Sequence, residues 1–103
     1  MASYMVLWHA NSASWPTDPK QVLAGLEAAT GGGSQLLKSG AARELAWFTT
    51  ESGYAIFDAD SKAAVLGMVQ PFFPMFSQEI IEIVPWEAGM QAMLTSARRA
   101  AGG

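Results

Sequence analysis

Apolar residues alternate in four short runs and recur at helical spacing between those runs. The four runs predict β-strands at residues 3–10, 43–49, 54–58 and 77–84. The intervening segments carry apolar residues three or four positions apart and predict two helices, one after Pro19 and one after Asp60. A further amphipathic segment begins at Trp86 and predicts a terminal helix, with residues 97–103 as a frayed tail.

The first predicted helix contains three consecutive glycines at residues 31–33. Pro19 suits its first turn, and Thr17 or Asp18 is a candidate N-cap. Since a glycine inside a helix costs about 1 kcal/mol relative to alanine, the run predicts either a helix with a weak point or two helices in line. A phosphate-binding loop is a poorer interpretation, because the run follows a helix rather than a strand.

The order β-α-β-β-α-β predicts an α+β fold formed by the whole chain as one domain. Right-handed crossovers place both connecting helices on one face of a four-stranded antiparallel sheet, with strand order 4-1-3-2. Across the predicted hairpin, one face is expected to carry Leu45, Trp47, Tyr54 and Ile56, and the other Ala46, Phe48, Ala55 and Phe57. Both faces are apolar while the helices cover only one. The pattern therefore predicts a homodimer that packs sheet against sheet.

The composition and charge of the chain argue against some classes of binding partner. The chain has 103 residues, of which 50% are hydrophobic and 15% are charged, and its net charge is −3 at pH 7. An acidic chain with scattered basic residues argues against nucleic acid or an anionic membrane as a partner. There is no cysteine for a disulfide or a thiolate. No apolar run approaches the ~18 residues of a membrane span, and the first residues do not resemble a signal peptide, so a cytoplasmic location is expected.

Residues 70–83, Q-P-F-F-P-M-F-S-Q-E-I-I-E-I, resemble the dimeric α/β-barrel superfamily, whose subunits are ferredoxin-like. The phrase F-P-x-F-x-x-E-I is similar to the F-P-Y-x-x-x-E-V of muconolactone isomerases. The phrase W-F-T-x-x-x-G-Y-A-I-F looks more like small uncharacterised bacterial members, and YCII-related proteins share the layout. The resemblance implies a dimeric α/β barrel. It also implies an isomerase, cyclase or oxygenase that needs no cofactor and acts on an aromatic or polyketide-like metabolite. The alternative is a non-catalytic binding or stress-associated domain.

The end of the first strand should meet the starts of the third and fourth strands at one rim of the sheet. His9, the single histidine, is the candidate general acid or base there, oriented by Glu79 or Tyr54. The alternative is a structural histidine that is hydrogen-bonded and inert. The aromatic residues expected to bind a small apolar or aromatic ligand at this rim are Trp15, Trp47, Phe72, Phe73 and Phe76.

Other polar and apolar positions have simpler interpretations. Glu82 is either a buried acid or an edge-strand charge that discourages further strand pairing. One histidine, with carboxylates at no motif spacing, predicts no metal site, and no flavin or nicotinamide signature is present, so no cofactor is expected. Trp86 is expected to anchor the terminal helix, and Met90 and Met93 to pack against the sheet or a neighbour.

Overall fold

The structure, a computed structural model, describes residues 1–102 as an α+β fold. The strands are β1 (Ala2–Ala10), β2 (Ala42–Trp47), β3 (Ser52–Ala59) and β4 (Phe76–Ile83). The helices are α1 (Pro19–Ser39), α2 (Lys62–Val69) and α3 (Trp86–Ala100). Short 3-10 turns follow β1 at Ser12–Ser14 and α2 at Gln70–Phe72.

The four strands form one antiparallel sheet in the order β2-β3-β1-β4. Counted from the opposite edge, this is the order 4-1-3-2. The central strands are β1 and β3, and each pairs with a neighbour on both sides. Helix α1 packs against β2, and α2 packs against β3 and β4, so both helices lie on one face of the sheet.

The register of the β2–β3 hairpin corrects the predicted faces. Leu45 lies opposite Ala55, and Ala46 lies opposite Tyr54. Directly paired residues point to the same side of an antiparallel sheet. Leu45 and Trp47 therefore share the face of Ala55, whereas the prediction grouped them with Tyr54. A shift of one residue in strand register moves every side chain of one strand to the other face. The turn sequence did not determine which of the two registers forms.

The hydrophobic core lies between the sheet and the helices. Phe57 of β3, Val6 of β1 and Val65 of α2 are its most completely buried large side chains. The remaining buried members of this cluster are Tyr4, Ala42, Ala55, Ala59 and Val69. Side chains alternate between the two faces along β1 and β3, so every second side chain points toward the helices.

Helix α1 runs without a break through its glycines. It begins after Asp18, whose carboxylate accepts a hydrogen bond from the Lys20 N–H at 3.0 Å. A Cβ added at Gly33 would lie 3.0 Å from Leu45 Cδ2, and one added at Gly32 would lie 3.2 Å from the Phe72 ring. These two glycines therefore allow the helix to approach its neighbours closely, which offsets their low helix propensity.

The face of the sheet opposite the helices is covered by no helix of residues 1–102. Met5, Ile56 and Ile81 form one apolar row across its three adjacent strands β3, β1 and β4. Polar residues interrupt this face elsewhere, for example where the Ser3 hydroxyl donates to Asp58 at 2.6 Å. The prediction that all four strands are apolar on this face is therefore only partly right.

Helix α3 extends away from the sheet, and the molecule measures 64 × 28 × 22 Å. Trp86, at its first position, is 79% exposed, so the prediction that Trp86 anchors this helix is wrong within the subunit. Residues 97–100, which the sequence assigned to a frayed tail, belong to the helix. None of the helices in residues 1–102 combines the length and apolar character that crossing a membrane requires.

Candidate functional site

A cavity of about 320 Å³ lies between the helix-covered face of the sheet and the two helices on it. Its floor is formed by side chains of β1, β2 and β3, including Val6, Leu45 and Phe57. Ala29 and Gly33 of α1 form part of its wall. The volume falls within the range of roughly 300–1,000 Å³ that small-molecule pockets occupy.

Aromatic side chains line one side of this cavity and contact one another edge to face. The Trp8 ring lies 4.9 Å from that of Trp47 and 5.8 Å from that of Phe76, with interplanar angles of 84° and 86°. Trp15 continues the series, with its ring 6.1 Å from that of Phe76. Such T-shaped pairs are the favoured aromatic geometry, so they hold the wall in a defined shape.

Gly53 makes room for the Trp8 indole of this wall. It pairs with Trp8 on one side and with Trp47 on the other. A Cβ added at Gly53 would collide with the carbonyl oxygen of Ala46 and with the indole of Trp8. The absent side chain is therefore a condition for the Trp8–Trp47 contact.

Few polar groups face the cavity, and no charged side chain of the described residues lines it. Thr30 donates to the carbonyl of Leu26 at 2.8 Å, and Gln78 donates to the carbonyl of Val69 at 3.4 Å. The Trp8 Nε1–H is enclosed and has no hydrogen-bond partner among residues 1–102. An apolar ligand fits these walls, because a charged ligand would lose its water without gaining a counter-charge.

The three predicted catalytic residues lie on the other face of the sheet. His9 is exposed and pairs with Ser52 and Ser77. Tyr54 and Glu79 lie on either side of Leu7, two residues before His9. The sheet thus brings the three onto one surface, with His9 at a diagonal position roughly 7–8 Å from Tyr54 and from Glu79. It also separates all of them from the cavity, because His9 alternates with Trp8 along β1.

Tyr54 is paired with a carboxylate other than Glu79. Its hydroxyl donates to Glu44 Oε1 at 3.1 Å, and its ring stacks on Phe48 at 5.5 Å. The hydrogen bond to Glu44, together with the negative charge of that carboxylate, raises the pKa of Tyr54 above its ordinary value. A phenol with a raised pKa is a poorer acid near neutral pH, which counts against a proton-transfer role.

The five predicted ligand-binding aromatics are distributed unevenly around the cavity. Trp47, Phe72 and Phe76 line it. Trp15 lies behind Phe76, and its Nε1–H donates to the carbonyl of Met75 at 2.8 Å. That same carbonyl accepts the N–H of Asn11 at 2.8 Å, so the Trp15 loop is tied to the start of β4. Phe73 is 58% exposed and does not line the cavity.

Sequence reasoning missed Trp8, Gln78 and Gly33 as cavity residues. Trp8 shares the face of Val6, and strand alternation alone could have placed it under the helices. Gln78 pairs with Trp8 and faces the cavity. No sequence signal marks Gly33 as a wall residue, because its neighbour Leu45 is distant in the chain.

Glu82 is exposed on the edge strand β4 and pairs with Tyr4 of β1. Burial of the phenol is the main cause that raises the pKa of Tyr4, and the nearby Glu82 carboxylate raises it further. The position fits the interpretation of Glu82 as an edge-strand charge rather than a buried acid. Within residues 1–102, no cluster of three or more His, Asp or Glu side chains could hold a metal ion.

Comparison with known proteins does not assign the chain to a family. No protein-family model matches it, and no curated protein resembles it at a significant level.

Proposed function

We propose that the protein binds a small, flat and largely apolar molecule in the cavity between its sheet and helices. The observation that carries this proposal is an open volume of about 320 Å³ lined by five aromatic residues, Trp8, Trp47, Phe57, Phe72 and Phe76. Cavities of this size in small cores are destabilising when empty, so a bound molecule would stabilise the fold.

The position of His9 favours binding over catalysis at this site. Its imidazole is exposed on the opposite face of the sheet, and the cavity lining contains no carboxylate, histidine or lysine. General acid–base catalysis needs the catalytic group within hydrogen-bonding reach of the proton that it transfers. Catalysis of isomerisation, cyclisation or oxygenation by His9, Glu79 and Tyr54 therefore stays a prediction from the resemblance.

The binding proposal can be tested by isothermal titration calorimetry, with 1,4-naphthoquinone and 2-naphthol as flat probes. Ala29 lines the cavity, whereas its neighbour Ala28 is exposed on the same helix. The substitution Ala29→Leu should fill part of the cavity and weaken binding at least roughly tenfold, while Ala28→Leu should leave binding unchanged. Both variants keep a good helix former, so thermal melting should show that each is folded. Equal binding by the two variants, or no binding by the wild-type chain, would contradict the proposal.

We further propose that two ferredoxin-like subunits pair through the open faces of their sheets, as in a dimeric α/β barrel. The β4 end of the apolar row of Met5, Ile56 and Ile81 supports this arrangement, since Ile81 is 40% exposed in the single subunit, whereas Ile56 is already buried at 5%. Stacked sheets bury such rows about 10 Å apart. Light scattering should give twice the chain mass of 11.0 kDa. A monomer at micromolar concentration would refute the pairing and would leave the cavity proposal intact.

A further inference from the structure

Helix α3 is an arm without a partner in its own subunit. It has no extensive contact with any other helix or strand of residues 1–102. The radius of gyration is 17.7 Å, whereas a compact chain of about 100 residues has roughly 13 Å. The extra length lies in this arm, which follows β4 after only Val84 and Pro85.

The arm has an apolar side that a free helix would not need. Trp86, Met93 and Leu94 are 79%, 72% and 40% exposed. Met90 lies four positions after Trp86, and Met93 and Leu94 follow Met90 by three and four positions, which is helical spacing. The opposite side carries polar residues such as Thr95. Isolated helices of about 12–15 residues are only marginally stable in water. An unpacked 15-residue helix of this kind therefore requires a surface to cover its apolar side.

We propose that α3 docks on a second copy of the chain, so that two subunits exchange arms. The connection of α3 to β4 is only two residues long, Val84 and Pro85, and it directs the arm away from its own sheet. A second copy offers the same subunit surface with no such constraint. The exchange adds contacts to the proposed sheet pairing, on which this inference rests.

The charge distribution also favours a second copy of the chain as the partner of α3. The first 85 residues carry eight acidic and four basic side chains, whereas α3 carries Glu87, Arg98 and Arg99. The arm is thus basic at its far end and the body it would meet is acidic, so the contact between the arm of one copy and the body of the other is complementary in charge. A helix of this length is roughly 22 Å long and 10 Å wide, so two docked arms would bury on the order of 900 Å². Together with the paired sheet faces, this reaches the roughly 1,200–2,000 Å² of a stable interface.

The test compares Met93→Glu, on the apolar side, with Thr95→Glu, on the polar side, in the full chain. A charge buried in the docked arm should raise the dimer dissociation constant at least roughly tenfold for Met93→Glu, whereas Thr95→Glu should leave it within about twofold. Sedimentation equilibrium measures both constants. If the wild-type chain dimerises and the two variants behave alike, the arm exchange is wrong while the sheet pairing survives. If the wild-type chain is monomeric, both are wrong.

Hydrogen exchange on α3 distinguishes the possible partners of the arm. Exchange onto a second copy predicts that the α3 amides are protected above the dimer dissociation constant and exchange rapidly below it, while the β1 and β3 amides stay protected in both conditions. Protection that is independent of concentration would mean docking on the same subunit. The absence of protection at any concentration would mean that the arm needs a different partner. Each of these last two results overturns the proposal.

Discussion

Replacing Gly53 with alanine tests the aromatic wall of the cavity. The added methyl group would overlap the carbonyl oxygen of Ala46 and the indole of Trp8. The first of these atoms belongs to the backbone of β2 and can move only if the hairpin shifts. Overpacking of a core usually costs about 1–3 kcal/mol, and a backbone obstacle places this variant near the upper end, at roughly 2–3 kcal/mol.

For a domain of this size, about 1 kcal/mol changes the melting temperature by roughly 4–8 °C, so Gly53→Ala should lower it by roughly 10–20 °C. The assay is thermal unfolding followed by far-UV circular dichroism, with near-UV circular dichroism reporting the Trp8–Trp47 pair. Gly31→Ala is the matched control, because a Cβ there meets nothing within 4 Å. It should raise the melting temperature, since alanine is favoured over glycine in a helix by up to about 1 kcal/mol.

Gly53→Ala and Gly31→Ala add the same methyl group. Opposite changes in melting temperature therefore cannot come from a general effect of alanine. A Gly53→Ala variant that melts within about 2 °C of the wild-type protein would show that the strands can absorb a side chain at this position. The account of how Trp8 and Trp47 are held together would then be wrong.

Substitutions at three other positions test local features. Gly40 ends α1 with φ of 80°, so Gly40→Ala should destabilise the fold by roughly 1–2 kcal/mol in urea unfolding, and a neutral result would contradict the left-handed cap. Ser61 accepts the Ala64 N–H at 3.1 Å, so Ser61→Ala should lose about 0.5–2 kcal/mol, most of which Ser61→Asp should restore. Because the pKa of Tyr54 is raised by Glu44, the folded state holds this proton more tightly than the unfolded state, and the resulting stability is lost as pH rises above about 10. Glu44→Gln should lower the Tyr54 midpoint in a phenolate absorbance titration and reduce that loss, whereas an unchanged midpoint would rule out Glu44 as the cause.

Local patterns in the sequence were enough to predict the elements and their order. Strand alternation and helical spacing placed four strands and three helices, and Asp18 was one of the two candidate N-caps named for α1. The register of the β2–β3 hairpin, and therefore which residues of β2 and β3 share a face, was not predicted, because the turn allows more than one register. The sequence left open whether α1 is one helix or two, since the glycines are compensated by Leu45 and Phe72, which are remote in sequence.

The candidate site was predicted less well than the fold. Trp47, Phe72 and Phe76 were expected to bind ligand and do line the cavity. The prediction for His9 used only its position at the end of β1 and did not consider which face of the sheet it lies on. Alternation along the strand puts His9 on the face opposite Trp8. The place of α3 could not be predicted, because an amphipathic pattern shows that a side needs burial but not which surface buries it.

The carbonyl of Met75 has both lone pairs occupied, one by the Asn11 amide and one by the Trp15 indole. Separating the loop after β1 from the segment before β4 would break both hydrogen bonds together, so these two segments beside Phe76 should move as one unit. Trp47, which lines the cavity from β2, is 59% exposed and is held by its edge-to-face contact with Trp8 rather than by a hydrogen bond among the described contacts. The two parts of the aromatic wall therefore differ in what restrains them: backbone-linked hydrogen bonds at Trp15, and ring packing alone at Trp47.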